Sequence, residues 1–425
     1  MSRITDAKEM ILTSEISGES WSAAVWDPRN GSMLSTYKNA NAALVHRTLQ
    51  LLSDSYVLGA NATKPRLHIW PLNSPSPLPN VHLNTPGKVN ALTCTSNGSY
   101  IIAAVDEQLF IWQTCNGRIL ANLARHYQTV SCLAITKDGS LFASAGEDGL
   151  VFVWSLYRAL NDKQDCPPVH AFSNHNMPIR DMLFGFGDAR ARLYTASLDR
   201  RANIYELGSG ALLVSIIFDA PLTAIIVDSR ESQLFVGCTT GDIFQSNLHE
   251  PPRGLEQHVE KDEKDAVFRA HKSQVTALSV SVDCSTLLSG STDGAVHIWD
   301  IVSRQVLRTI EHKGPVTAAF FAKGFDNFRA STLEPRLEVR NLQRTSEVDG
   351  RESNDVIEVI SRGRNPAEIL DFKSYVGNSV DSSEREKLLK QIANLKEENR
   401  KLSKINANLF KYSVKHILPK TIDDE

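Results

Sequence analysis

No two of the six cysteines, at positions 94, 115, 132, 166, 238 and 284, stand at Cys-x-x-Cys or at the Cys/His intervals of a zinc site. Reduced thiols of an intracellular protein are the expectation that follows. No apolar run reaches the roughly 18–20 residues of a membrane-spanning helix, and the opening "MSRITDAKEMILTSEIS" lacks the apolar block of a signal peptide. A surplus of one charge is missing too: the 425 residues balance to −3, so no global basic field argues for nucleic acid. Neither the phosphate loop G-x-x-x-x-G-K-[ST] nor the G-x-S-x-G nucleophile elbow occurs. These absences lead us to expect a soluble cytoplasmic or nuclear protein, without membrane contact, metal, cofactor or catalytic residues.

What is present is a repeat. "HYQTVSCLAITKDGSLFASAGEDGLVFVWSL" from His126 and "HKSQVTALSVSVDCSTLLSGSTDGAVHIWDI" from His271 align without gaps. Each has His, then Ser 18 residues on (Ser144, Ser289), Asp 4 later (Asp148, Asp293) and Trp 6 later (Trp154, Trp299). "TVSCLAIT" and "VFVWSL" have strand composition, with apolar residues for both faces. "EDG" and "TDG" are tight-turn signals, because Asp bonds local backbone and Gly accepts positive φ. The pattern resembles the WD repeat, a four-stranded blade of about 40–45 residues in a β-propeller. In that family the His, Ser, Asp and Trp form a hydrogen-bonded relay within each blade. A His near Ser and Asp also suggests hydrolase chemistry. Its recurrence once per blade and the missing elbow argue against that.

Weaker copies extend the array. "NALTCTSNGSYIIAAVDEQLFIWQ" keeps Asp106 and Trp112 without the Ser, and another copy offers Thr195, Asp199 and Tyr205, with His175 upstream at a longer distance. "LTAIIVDSRESQLFVGCTTGDIFQSNL" lacks His and Trp, and "SYVLGANATKPRLHIWPL" has Trp70 without Asp. Six blades are predicted, at 44–83, 89–123, 130–172, 179–217, 222–270 and 275–310. The seventh is predicted to be split. "SWSAAVWDPRNGSMLSTYK" resembles an inner-to-outer strand pair lacking the strands before it, and "GPVTAAFFA" a first strand lacking a complete successor. Joining them closes the ring and removes free edges. "PRLEVRNL" (335–342) leaves eight blades as the alternative to the favoured seven.

Three insertions break the period: Pro71–Asn84, Asn161–Pro168 and Glu250–Asp265. Each is either a solvated loop or a partner contact. The predicted organisation is an all-β seven-bladed propeller over 1–343, a polar linker over 344–383 and a C-terminal helix over 384–418. The linker holds two short motifs, "DVIEVI" and "AEILDF", suited to partner binding.

The helix carries Leu388, Leu395, Leu402 and Leu409 at heptad position d, with Ile392, Asn399, Asn406 and Ser413 at a. This is a coiled-coil pattern in which Asn at a favours a two-stranded, in-register pair at a cost in stability. Self-pairing is the favoured expectation; docking of the helix on the propeller or on a partner is the alternative. The basic stretch 401–420 is expected to be a solvated face, with contact to RNA or an acidic protein as its competitor.

Beyond the repeat, "LARHYQTVSCLAI", "EDGLVFVWSL", "SLDRRANIYELGSGALLVSIIFD", "VFRAHKSQVTALSVS" and "KLSKINANLF", in this order, resemble the WD repeat-containing protein 18 family, the WD subunit of a Rix-type ribosome-assembly complex. The resemblance implies a non-enzymatic scaffold in large (60S) subunit maturation, acting in processing of the second internal transcribed spacer of pre-ribosomal RNA. It implies as partners a proline-, glutamate- and leucine-rich helical-repeat scaffold, further Rix-type subunits, the Midasin ATPase and the pre-60S particle, with indirect contact to pre-rRNA. It also implies homodimerisation through Leu388, Ile392, Leu395, Asn399, Leu402, Asn406 and Leu409. The implied location is nucleolus and nucleoplasm, with a cytoplasmic fraction. The alternatives are a WD-repeat substrate receptor of a ubiquitin ligase and a replication-licensing scaffold.

Overall fold

In the computed structural model the described residues are 9–17, 21–38, 43–161, 166–248, 254–259, 267–328, 330, 332–333, 335, 337–345, 394, 396–402 and 404–406. Two units, 1–350 and 351–425, divide the chain. The first is a propeller of seven antiparallel sheets. Six blades follow one another in sequence, spanning 50–84, 89–124, 130–172, 179–217, 222–268 and 275–311.

Period-two alternation builds the ring. A blade is covered on both sides, so successive strand residues must face opposite neighbours. In blade 2, Ile101 and Ala103 pack toward blade 1 while Ile102 and Ala104 pack toward blade 3. Seven apolar clusters result, one at each junction between adjacent blades. Hydroxyls near the start of the innermost strands latch neighbours together. Ser131 Oγ donates to Ile179 O at 2.5 Å, Thr223 Oγ1 to Val275 O at 2.7 Å and Thr276 Oγ1 to Val316 O at 2.9 Å. Blade 4 has Arg180 in that place instead, and Asp181 Oδ2 accepts the Ile225 N–H of blade 5 at 2.6 Å.

The seventh blade is split as the sequence suggests, but in the proportion three to one. Val316–Lys323 is innermost, followed outward by Glu9–Glu15, Ala23–Trp26 and Met33–Tyr37. Sequence reading missed the strand Glu9–Glu15, which pairs with both Val316–Lys323 and Ala23–Trp26. Met10 and Leu12 face blade 1 while Ile11 faces blade 6.

The stretch at 335–342 does not begin an eighth blade. Its described residues form a strap over blades 1 and 2, where Val339 and Leu342 are buried. Arg340 N–H donates to Thr114 O at 3.3 Å and Gln343 N–H to Gly117 O at 2.9 Å. The Trp112 indole N–H donates to Gln343 O at 3.0 Å. Within the third insertion, Glu256–His258 adds a fifth strand to blade 4, parallel to Ala211–Ile217. The short helix Leu156–Asn161 leads into the second insertion.

Candidate interaction surface

The residues singled out by spacing meet in space. In blade 3, the Trp154 Nε1–H donates to Ser144 Oγ at 3.0 Å, and Ser144 Oγ lies 2.8 Å from His126 Nε2. His126 Nδ1 lies 3.0 Å from Asp148 Oδ2. Blade 6 repeats this: Trp299 Nε1–H to Ser289 Oγ at 2.8 Å, Ser289 to His271 Nε2 at 2.7 Å, and His271 Nδ1 to Asp293 Oδ2 at 3.2 Å. One proton arrangement satisfies every member. The indole donates to the hydroxyl, the hydroxyl donates to Nε2, and Nδ1–H donates to the carboxylate.

Each carboxylate also organises the face above it. Asp148 accepts the Tyr127 and Leu150 N–H groups, and Asp293 accepts those of Lys272 and Ala295. Burial holds the His126 and His271 imidazoles below their usual pKa, outweighing the pull of the adjacent Asp. Against the upward push of partial burial, the hydrogen bonds from Lys272, Ala295 and His271 hold the Asp293 carboxyl below its usual value. A neutral His beside an anionic Asp is the result. Ser144 and Ser289 are fully buried, with Oγ committed to an indole and an imidazole. A substrate cannot reach them, so the geometry is that of a structural brace rather than a nucleophile.

Blade 4 carries a third relay through the upstream histidine. His175 Nδ1 lies 2.9 Å from Asp199 Oδ2 and Nε2 lies 2.8 Å from Thr195 Oγ1. Tyr205 stands where the Trp stands elsewhere, and Asn203 Nδ2 bridges Tyr205 Oη at 3.1 Å and His175 Nε2 at 3.2 Å.

A fourth site escaped the sequence reading. In the closing blade Trp26 Nε1–H donates to Thr13 Oγ1 at 2.7 Å, and the His312 ring lies edge-on to Trp26 with centroids 5.6 Å apart. Glu15 Oε2 accepts the Lys313 and Gly314 N–H groups, much as Asp293 accepts that of Lys272. The signal was available: "HKGPV" from His312 repeats the "HKSQV" that begins at His271. Turn glycines mark the same register. A Cβ at Gly149 would lie 2.8 Å from His175 O, and one at Gly294 would lie 3.1 Å from His312 O. Both have positive φ, so Gly is required twice over.

The inter-blade connections and these turns share one face. There Tyr127 is 79% exposed and Met177 48% exposed, each just after the relay His of neighbouring blades. Arg180 and Glu147 face one another at 3.8 Å beside a cavity of about 580 Å³ at the central channel. Among the described residues no group of three or more His, Cys, Asp or Glu side chains is arranged to hold a metal ion. No described helix is long and apolar enough to cross a membrane.

Of the seven heptad positions, Asn399, Leu402 and Asn406 are helical and exposed. Lys401 Nζ bonds Glu397 Oε1 at 3.1 Å, one turn earlier. Leu388, Ile392, Leu395 and Leu409 lie outside the described residues, as does most of the predicted linker.

The WD domain, G-beta repeat family matches at residues 117–155 and 263–300, which hold two of the relays. The WD40 β-propeller domain of Doa1 has a similar fold, with TM-score 0.54 and 14% identity, over 67% of this chain and 88% of that one. The pre-rRNA-processing protein IPI3 of Yarrowia lipolytica is 31% identical over 302 residues, covering 68% of this chain and 70% of its own. WD repeat-containing protein 18 of Mus musculus is 36% identical over 427 residues, covering 96% of this chain and 98% of its own. Similarity of that extent, on a seven-bladed propeller with the repeat's relays in blades 3, 4 and 6, makes the chain a member of the WD repeat-containing protein 18 family.

Proposed function

We propose that the chain is a non-enzymatic scaffold in maturation of the large ribosomal subunit, acting in pre-rRNA processing as a subunit of a Rix-type complex. The observation that carries this is the similarity to a relative named for pre-rRNA processing, across two thirds of the chain. Chemistry is consistent with it. Relay side chains are spent on bracing blades, while the exposed loops of one face offer Tyr127, Met177, Arg180 and Glu147 to partners. Rigid loop-bearing faces suit recognition of proteins rather than turnover of a substrate.

In this reading the propeller over 1–343 binds the helical-repeat scaffold and its associated subunits, 344–383 is a linker, and 384–418 pairs two copies. The Midasin ATPase, the pre-60S particle and a nuclear, nucleolar setting belong to the same reading. Pairing through the heptad is weak by design, since Asn399 and Asn406 replace apolar a residues with matched polar pairs. Affinity purification of the tagged chain with mass spectrometry should recover ribosome-assembly factors and pre-ribosomal RNA. Recovery of a cullin adaptor in their place would overturn the assignment. For pairing, Leu395→Asp with Leu402→Asp should halve the mass seen by light scattering while the propeller melts unchanged. An unchanged mass would sink the proposed seam.

A further inference from the structure

The connection from the closing blade into blade 1 sends a finger, Val45–Thr48, across the central channel. Val45 N–H donates to Ala60 O at 2.9 Å, Arg47 N–H to Thr317 O at 3.1 Å and Thr48 N–H to Val45 O at 3.3 Å. Arg47 takes φ of +59°, a left-handed conformation that non-glycine residues adopt at a cost. The contacts of its side chain are what hold it there.

Those contacts use every donor of the guanidinium. Nε–H donates to Thr276 O at 3.2 Å, and Nη2 donates to Thr223 O at 3.0 Å and to Thr276 O at 3.0 Å. Nη1 donates to Arg180 O at 3.1 Å and pairs with the Asp181 carboxylate. Five N–H groups therefore meet carbonyls of blades 4, 5 and 6 and one carboxylate. This is where the hydroxyl latch is interrupted by Arg180.

The acceptors do not depend on Arg47 for their positions. The three carbonyls lie on innermost strands, and Asp181 is held independently by two backbone N–H groups, that of Met182 on the shared Oδ1 at 2.8 Å and that of Ile225 on Oδ2 at 2.6 Å. Three converging carbonyls and a carboxylate, fixed beforehand, form a receptor for a planar cation with forked donors. A lysine ammonium, with three donors around a point, cannot satisfy the set. The cavity of about 580 Å³ lined by His46, Arg47, Ser131, Glu147, Arg180 and Gln274 connects the site to the face that bears the loops.

We propose that the channel mouth is an arginine-binding site that the chain fills in cis with Arg47, and that it accepts an arginine side chain in trans once that side chain is removed. In the wild-type chain a partner's arginine is thereby excluded from the channel, and contacts on this face fall on the surrounding loops.

The test uses the full chain and N-acetyl-arginine methylamide, with the lysine analogue as control. Calorimetry should show the arginine probe binding Arg47→Ala on the order of tenfold tighter than wild type, with a matching rise in melting temperature. The lysine analogue should bind neither, and the Arg47→Ala, Asp181→Asn double variant should lose binding. No binding to folded Arg47→Ala, or equal binding to wild type, overturns the proposal. If Arg47→Ala does not accumulate in folded form, its refolding yield with each probe reads the same question. Equal yields with both probes, or equal rescue of the double variant, overturn it.

Discussion

Replacing Asp293 by Ala removes one carboxylate and three accepted bonds, from His271 Nδ1–H at 3.2 Å, Lys272 N–H at 3.0 Å and Ala295 N–H at 2.9 Å. The three losses are unequal. Lys272 and Ala295 lie at the surface turn, where water takes over the vacated bonds at little cost. The His271 side chain is fully enclosed, so its Nδ1–H is orphaned. Moving the proton to Nε2 does not help. Ser289 Oγ already accepts the Trp299 indole, so its own O–H would then be left without an acceptor. One buried orphan costs about 1–3 kcal/mol. Ser289→Ala orphans two groups at once, Trp299 Nε1–H and His271 Nε2, and should cost more than Asp293→Ala. Adding His271→Leu to Asp293→Ala should cost less than the sum of the two single changes, because it removes the orphan itself. Urea unfolding followed by tryptophan fluorescence measures all four variants. Asp293→Ala within about 0.5 kcal/mol of wild type, or strict additivity with His271→Leu, would refute the relay as a coupled chain.

Two further outcomes follow from other parts of the molecule. Gly117 has φ of +70°, and a Cβ there would sit 1.9 Å from Asn341 O. Gly117→Ala should therefore lift the strap from blade 2, destabilise by about 1–3 kcal/mol and speed proteolytic cleavage near residues 337–343; an unchanged cleavage rate would contradict the strap contact. Burial lowers the pKa of His126 and His271 in the folded chain, and brings His297 and His312 down to about 4. The unfolded chain then binds more protons below about pH 6.5, so stability should fall steadily from pH 7 toward pH 4. The lowered Asp199 and Asp293 carboxyls add a further loss below their ordinary value of 3.8. Proton release on unfolding at pH 5.5, in place of uptake, would show the histidine assignment to be wrong.

Legibility in the sequence tracked the repetition of chemistry. Blades 3 and 6 announced themselves because a relay needs four particular side chains at fixed offsets, and the remaining sequential blades followed from their period. The strand Glu9–Glu15 stayed hidden for a physical reason. Its apolar residues Met10, Ile11 and Leu12 are contiguous rather than alternating, and the strand that covers its inner edge, Val316–Lys323, lies at the far end of the propeller sequence. The His312 site was obscured because Thr13 and Trp26 stand 13 residues apart, whereas Ser289 and Trp299 stand 10 apart. The longer turn between Glu9–Glu15 and Ala23–Trp26 accounts for that difference. Arg47 had no repeat to belong to, and only the convergence of three blades reveals its role.

The divided closing blade also sets a timetable for synthesis. Ile11 must wait for Phe321, its partner across the seam and roughly 300 residues away. At about 5–20 residues per second that delay is about 15–60 s. During it, the strand holding Met10, Ile11 and Leu12 has left the ribosome while the strand that will cover it has not been made. The closing blade is therefore the last to be completed, and Met10, Ile11 and Leu12 stay without their inner cover until the final strand of the ring is made.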